Sequence, residues 1–133
     1  MSPPCRILLV EDDHALRETL SDVLSDQGYD VACACNGQEA LERLGQDLPP
    51  DLILLDLIMP VMDGWAFRDA QRRSPELAGI PMVVLSASFP PDSPRVRALG
   101  AQAVLAKPIG LDRLIGALQR ILPAPPPAAA LAH

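Results

Sequence analysis

The chain is poor in aromatic side chains and carries no block of basic ones. One Trp, one Tyr and two Phe make up 3% of its 133 residues, so its core must be aliphatic. Net charge is −6, and the longest run of Lys or Arg is the pair Arg72-Arg73. A nucleic-acid-binding surface needs a basic footprint that this sequence does not offer. No apolar segment approaches the length of a membrane span. The start, MSPPCRILLVEDD, breaks its short apolar run with acids, which is not the pattern of a signal peptide. These absences leave a soluble, cytoplasmic protein as the expectation, with neither nucleic acid nor membrane as a partner. Cysteine is scarce as well. Cys33 and Cys35 fall on one expected strand and share a face, but their spacing is not CxxC, no ligand cluster accompanies them, and Cys5 stands apart. Small, buried strand residues are the expectation for the pair.

What is present is aliphatic and regularly patterned. A hydrophobic content of 49% suffices for one compact domain, placed at 1–122. Residues 123–133, rich in Pro and Ala, read as a disordered tail or linker stub. Short apolar runs at 6–10 (RILLV), 29–35, 52–56, 81–86 and 101–106 read as strands. Helical periodicity falls between them at 15–27, 37–44 and 64–73 and closes the domain at 111–122, where Leu111, Leu114, Ile115, Leu118 and Leu122 form one stripe. The prolines of SFPPDSPRVRALG leave room for only a short fourth helix, starting near Pro94. Strands alternating with helices in this way predict an α/β fold, a parallel sheet covered by helices on both faces.

One stretch, LILLDLIMPVMDG at 52–64, sharpens the reading. Its apolar run suits a strand buried on both faces, where a lone ionised Asp56 is costly unless paired. The cost falls if Asp56 stands where the strand emerges, since ligands of open α/β sheets bind at that carboxyl edge. Other strands deliver chemistry to the same edge: Glu11, Asp12 and Asp13 after the first, Ser86 at the end of the fourth, and Lys107 with Pro108 after the fifth. Carboxylates without His or Cys suit a hard divalent ion such as Mg²⁺. A lysine and a hydroxyl beside them can hold phosphoryl oxygens, and an aspartate can form an acyl phosphate.

The set LLVEDD (8–13), DLILLDLIMPVMDG (51–64), VVLSA (83–87), GA (100–101) and KP (107–108) resembles the receiver domain of two-component response regulators, over residues 5–122. The resemblance implies a flavodoxin-like, doubly wound five-stranded parallel sheet in the order 2-1-3-4-5 with five helices. It implies Asp56 as phosphoacceptor and Glu11 and Asp12 as the acidic pair for Mg²⁺, with Mn²⁺ as a substitute. The backbone carbonyl of Ile58 would complete the protein ligands beside Asp56. Ser86 would be the switch hydroxyl, and Lys107, aimed by a cis bond to Pro108, the phosphoryl contact. Gly64 would serve the turn opening the third helix. Implied partners are a histidine kinase or histidine phosphotransfer protein and a downstream protein target, the chain being a monomer or a weak, phosphorylation-dependent dimer and not a turnover enzyme.

Two departures from the family pattern are visible. The position three residues before the lysine, often a Tyr or Phe that rotates on switching, is Val104. The segment from Ser86 to Gly100 is one residue shorter than usual and holds Pro90, Pro91 and Pro94. Two alternatives stand beside the main reading: a receiver module of a larger hybrid kinase or multidomain regulator, and a Mg²⁺-dependent phosphohydrolase. A haloacid-dehalogenase type of hydrolase needs an acid two residues after its nucleophile, where this chain has Ile58. A flavin-binding reading lacks the phosphate loop after the first strand. Asp13 reads as a helix cap, Asp63 as a turn or cap residue, His14 as a surface residue, and Trp65 and Phe67 as packing.

Overall fold

Alternate residues of each strand feed two separate cores, which is why the strands read as unbroken apolar runs. The computed structural model of the chain describes residues 5–46 and 48–123. The strands are β1 (Arg6–Val10), β2 (Asp30–Ala34), β3 (Leu52–Asp56), β4 (Met82–Ser86) and β5 (Ala103–Ala106). They form one parallel sheet in the order β2-β1-β3-β4-β5. Leu8, Val10, Ile53, Leu55, Met82 and Val84 point to one face, under α2 (Gly37–Gln46), α3 (Gly64–Arg73) and α4 (Pro94–Arg97). Ile7, Leu9, Leu52, Leu54, Val83 and Leu85 point to the other, under α1 (His14–Asp26) and α5 (Leu111–Ile121). The doubly wound α/β fold and its strand order are those expected.

Local chemistry sets the ends of the helices. Asp13 caps α1 by accepting from Leu16 N, Asp63 caps α3 by accepting from Ala66 N, and Ser93 caps α4 ahead of Pro94. The fourth helix is a single turn of four residues, as its prolines require. Gly28, with φ of +96°, turns the chain out of α1 toward β2.

Several boundaries shift from the sequence reading. β2 ends at Ala34, so Cys35 is not a strand residue. Cys33 and Cys35 are both only partly buried, and the Cys35 thiol donates to Glu39 Oε2 at 3.2 Å. Leu111 is 41% exposed and leaves the α5 stripe, while Ala117 is buried within the helix. Of the expected tail at 123–133, only Pro123 falls within the described residues. Among the described residues no helix is long and apolar enough to cross a membrane.

Candidate functional site

Parallel pairing carries the ends of β1, β3, β4 and β5 to one edge, and with them the residues singled out above. Asp56 is the last residue of β3 and pairs with Leu85; Ser86, the last of β4, pairs with Ala106. Glu11 follows β1 directly, its N–H donating to Ala34 O at 3.0 Å. Lys107 follows β5, its N–H donating to Ser86 O at 2.9 Å. The backbone ladder therefore sets all four positions before any side-chain contact is made.

The side chains complete the site. Glu11 is fully buried and Asp56 nearly so, whereas Asp12 is exposed. One carboxylate oxygen from each of these three acids lies within 4.8 Å of the others. The Lys107 ammonium donates to Glu11 Oε1 at 2.7 Å and stands 3.3 Å from Asp56 Oδ1. Its bond to Pro108 is cis. Burial pushes the Asp56 carboxyl up to about 7, helped by a hydrogen bond with Glu11 and by that residue's charge, while Lys107 pulls the other way. Burial alone would lower the Lys107 ammonium; its hydrogen bond to Glu11 and the charge of Asp56 outweigh this and raise it.

Three carboxylates facing one ammonium leave a local excess of negative charge on hard oxygen donors, a set that suits Mg²⁺ or Mn²⁺. Ile58, whose carbonyl is the remaining expected ligand, lies two residues past Asp56 in the β3–α3 loop with its side chain 51% exposed. The Ser86 hydroxyl sits at the same edge but gives its hydrogen bonds to the backbone of Phe89, donating to its O at 2.6 Å and accepting from its N at 3.3 Å.

Gly64 is the first residue of α3, and the turn into the helix is tightly packed around it. A Cβ there would lie 2.8 Å from Leu57 Cδ2 and 2.9 Å from Leu57 Cα. Its absence lets the start of α3 press against the end of β3, and Gly64 N–H donates to Leu57 O at 2.8 Å. His14 is exposed and pairs with Glu18, as a surface residue does. Phe67 is fully buried packing, but Trp65 also donates from Nε1 to Arg95 O at 3.1 Å.

Two features of the site escaped sequence reasoning. Arg17 Nη1 donates to Glu11 O at 2.7 Å, bracing the acidic loop from α1; its spacing, one helical turn beyond Asp13, was the available signal. Val61, 81% exposed, adopts a φ of +69° at the centre of a turn in which Met62 N–H donates to Pro60 O at 2.7 Å. A β-branched residue is strained there, and nothing in its sequence context signals it.

Comparison with known proteins identifies the family. The profile of the response regulator receiver domain family matches residues 7–119. Response regulator MprA of Mycolicibacterium vanbaalenii is 39% identical over 121 residues, which cover 90% of this chain and 51% of that protein. The chain thus spans about half the length of the relatives of this kind that it matches. Among solved structures, the chemotaxis response regulator CheY4 of Vibrio cholerae superposes with a TM-score of 0.81 at 34% identity, over 90% of this chain and 99% of that one. Response regulator TrrA of Thermotoga maritima, solved in complex with Mg²⁺-BeF, gives 0.77 at 28% identity, over 89% and 99%. Receiver domains are signalling modules of two-component systems, and with its fold, its acidic edge and these likenesses the chain belongs to the response regulator receiver domain family.

Proposed function

We propose that the chain is a phosphoacceptor receiver in which Asp56 takes a phosphoryl group from a histidine kinase or a histidine phosphotransfer protein, in a Mg²⁺-dependent step in the cytoplasm. The observation that carries this is the setting of Asp56. It is buried at the end of β3, grouped with Glu11 and Asp12 within 4.8 Å and 3.3 Å from the Lys107 ammonium. Glu11, Asp12, Asp56 and the Ile58 carbonyl would hold the ion, which when bound neutralises charge on the transferring phosphoryl oxygens.

The chain's own groups do the rest. An ionised Asp56 oxygen attacks phosphorus; the bond from phosphorus to the donor's histidine nitrogen breaks, and its electron pair stays with the imidazole. The product is an acyl phosphate on Asp56. Lys107 leaves Glu11 for a phosphoryl oxygen, and Ser86 turns from Phe89 to another. These movements shift a two-state equilibrium that a downstream protein partner reads. The domain is placed at 1–122, a monomer or weak phosphorylation-dependent dimer that does not turn over substrate.

Intact-protein mass after incubation with acetyl phosphate and Mg²⁺ tests the reading. One added phosphoryl group is expected, absent in Asp56→Asn and in chelator. An unchanged mass with both acetyl phosphate and a phosphorylated phosphotransfer protein as donors overturns it. A second reading, the receiver module of a longer regulator or hybrid kinase, is favoured by the relatives' greater length. The reading frame beyond His133 decides between the two.

A further inference from the structure

A chain with so few aromatics places its only Trp and one of its two Phe together, beside Ser86. The Ser86 hydroxyl is bound on both sides by one residue, donating to Phe89 O at 2.6 Å and accepting from Phe89 N at 3.3 Å. Where Phe89 goes, the hydroxyl goes. The Phe89 ring packs edge-on to Trp65, with centroids 5.1 Å apart and planes at 80°. The Arg95 guanidinium lies 4.3 Å from the Trp65 centroid and 5.1 Å from that of Phe89. Trp65 Nε1 closes the group by donating to Arg95 O at 3.1 Å.

The three residues come from three segments: Trp65 from α3, Phe89 from the β4–α4 loop, Arg95 from α4. Trp65 directly follows Gly64, which is packed against Leu57, the residue after β3, and against Asp56 O, so the group is rooted next to Asp56. The far end of α4 is held to α3 as well. Arg72 donates to Ala98 O at 3.2 Å and Leu99 O at 2.6 Å, and Arg68 donates to Leu99 O at 2.8 Å. Pro90, Pro91 and Pro94 restrict the chain between Phe89 and α4. A displacement of Phe89 therefore reaches α4 with little slack to absorb it.

We infer that Phe89, clamped by Trp65 and Arg95, is a positioning residue that holds the Ser86 hydroxyl in its resting place, and that the clasp takes over the coupling an aromatic at position 104 would provide. The resting clasp stands on geometry alone; its part in switching rests on the phosphoacceptor reading above. For Ser86 to turn toward Asp56 it must break both bonds to Phe89. The ring then loses its backbone anchor, and the clasp opens along the α3–α4 face.

The test reads Trp65, the only tryptophan, in the resting protein. Ser86→Ala is expected to shift its emission to longer wavelength and to raise its quenching by acrylamide, because Phe89 is set free. Phe89→Leu, and Arg95→Gln as a milder surface variant, are expected to label with acetyl phosphate about 3- to 10-fold faster, since a latched switch holds its competent state as a minor fraction. The gain must need Ser86: Ser86→Ala/Phe89→Leu should label no faster than Ser86→Ala alone. Unchanged Trp65 emission and quenching in Ser86→Ala overturns the clasp, as does equal acceleration with and without Ser86. Trp65 shifts without labelling of any variant would support the clasp and sink the phosphoacceptor reading instead.

Discussion

Lys107 donates a 2.7 Å hydrogen bond to the fully buried Glu11, closing a gap of 96 residues along the chain. The same ammonium lies 3.3 Å from Asp56. One cation thus compensates two buried carboxylates, and the resting site is organised around it.

Lys107→Ala should therefore destabilise the metal-free protein by about 1–3 kcal/mol, below the full cost of an unpaired buried charge because Lys107 is partly solvated and Asp56 can take up a proton. Thermal unfolding in chelator and in excess Mg²⁺ checks this. The loss should shrink with Mg²⁺, which compensates the same carboxylates. Labelling by acetyl phosphate should fall at least about tenfold, the loss of one group that stabilises developing phosphoryl charge.

The raised Asp56 carboxyl gives a pH dependence of known sign. Its ordinary value is 3.8 and its folded value about 7, so the folded state binds the proton more tightly than the unfolded one. This contribution to stability is whole below 3.8 and is lost as pH rises through 7. Melting temperatures of the metal-free protein should fall from pH 5 to pH 8, more steeply than in Asp56→Asn, which lacks the titrating group. The variant should gain most on the parent at pH 8. Equal slopes for the two would show that Asp56 ionises like an exposed carboxylate.

Arg68 is a buried cation whose N–H groups go to Leu99 O, Gln71 Oε1 and Gly100 O. Arg68→Met keeps the apolar stem but leaves the buried Gln71 Oε1 without its donor, while Leu99 O keeps Arg72 and Gly100 lies exposed, at an expected cost of about 1–3 kcal/mol for one unsatisfied buried group. Urea unfolding measures it. Gly100→Ala should add a smaller loss of about 1 kcal/mol through its left-handed φ of +64°.

These predictions differ in how far the sequence foretells them. Asp56 was legible because a single carboxylate in LILLD has no bland place inside a buried strand. Glu11 and Asp12 followed because parallel strands end at one edge. Cys35 was misread: its run continues β2, but Asn36 Oδ1 accepts from Glu39 N at 2.9 Å and turns the chain into α2. Gly64 is legible as the residue that opens α3, but the partner that demands a glycine, Leu57 in the space of its missing Cβ, is a contact that no sequence pattern shows. The Trp65–Phe89–Arg95 group lay beyond pattern reading altogether. Its members are 24 and 30 residues from Trp65, in segments whose contact depends on how short α4 is.

The lifetime of the phosphoryl group follows from what flanks Asp56 and Ser86. Hydrolysis needs a water held in line by a side chain that can accept or donate a hydrogen bond. Ile58, two residues beyond Asp56, is half exposed and apolar, and Ser88, two beyond Ser86, is short and exposed. Neither presents a carboxylate or carboxamide toward an attacking water, so the acyl phosphate should last minutes or longer. Ile58→Asn or Ile58→Glu should speed its decay by about tenfold, the low end of what a positioned group contributes. Following the mass after removal of acetyl phosphate tests this directly. Loss within seconds in the parent would mean that a group elsewhere on this edge already orders the water.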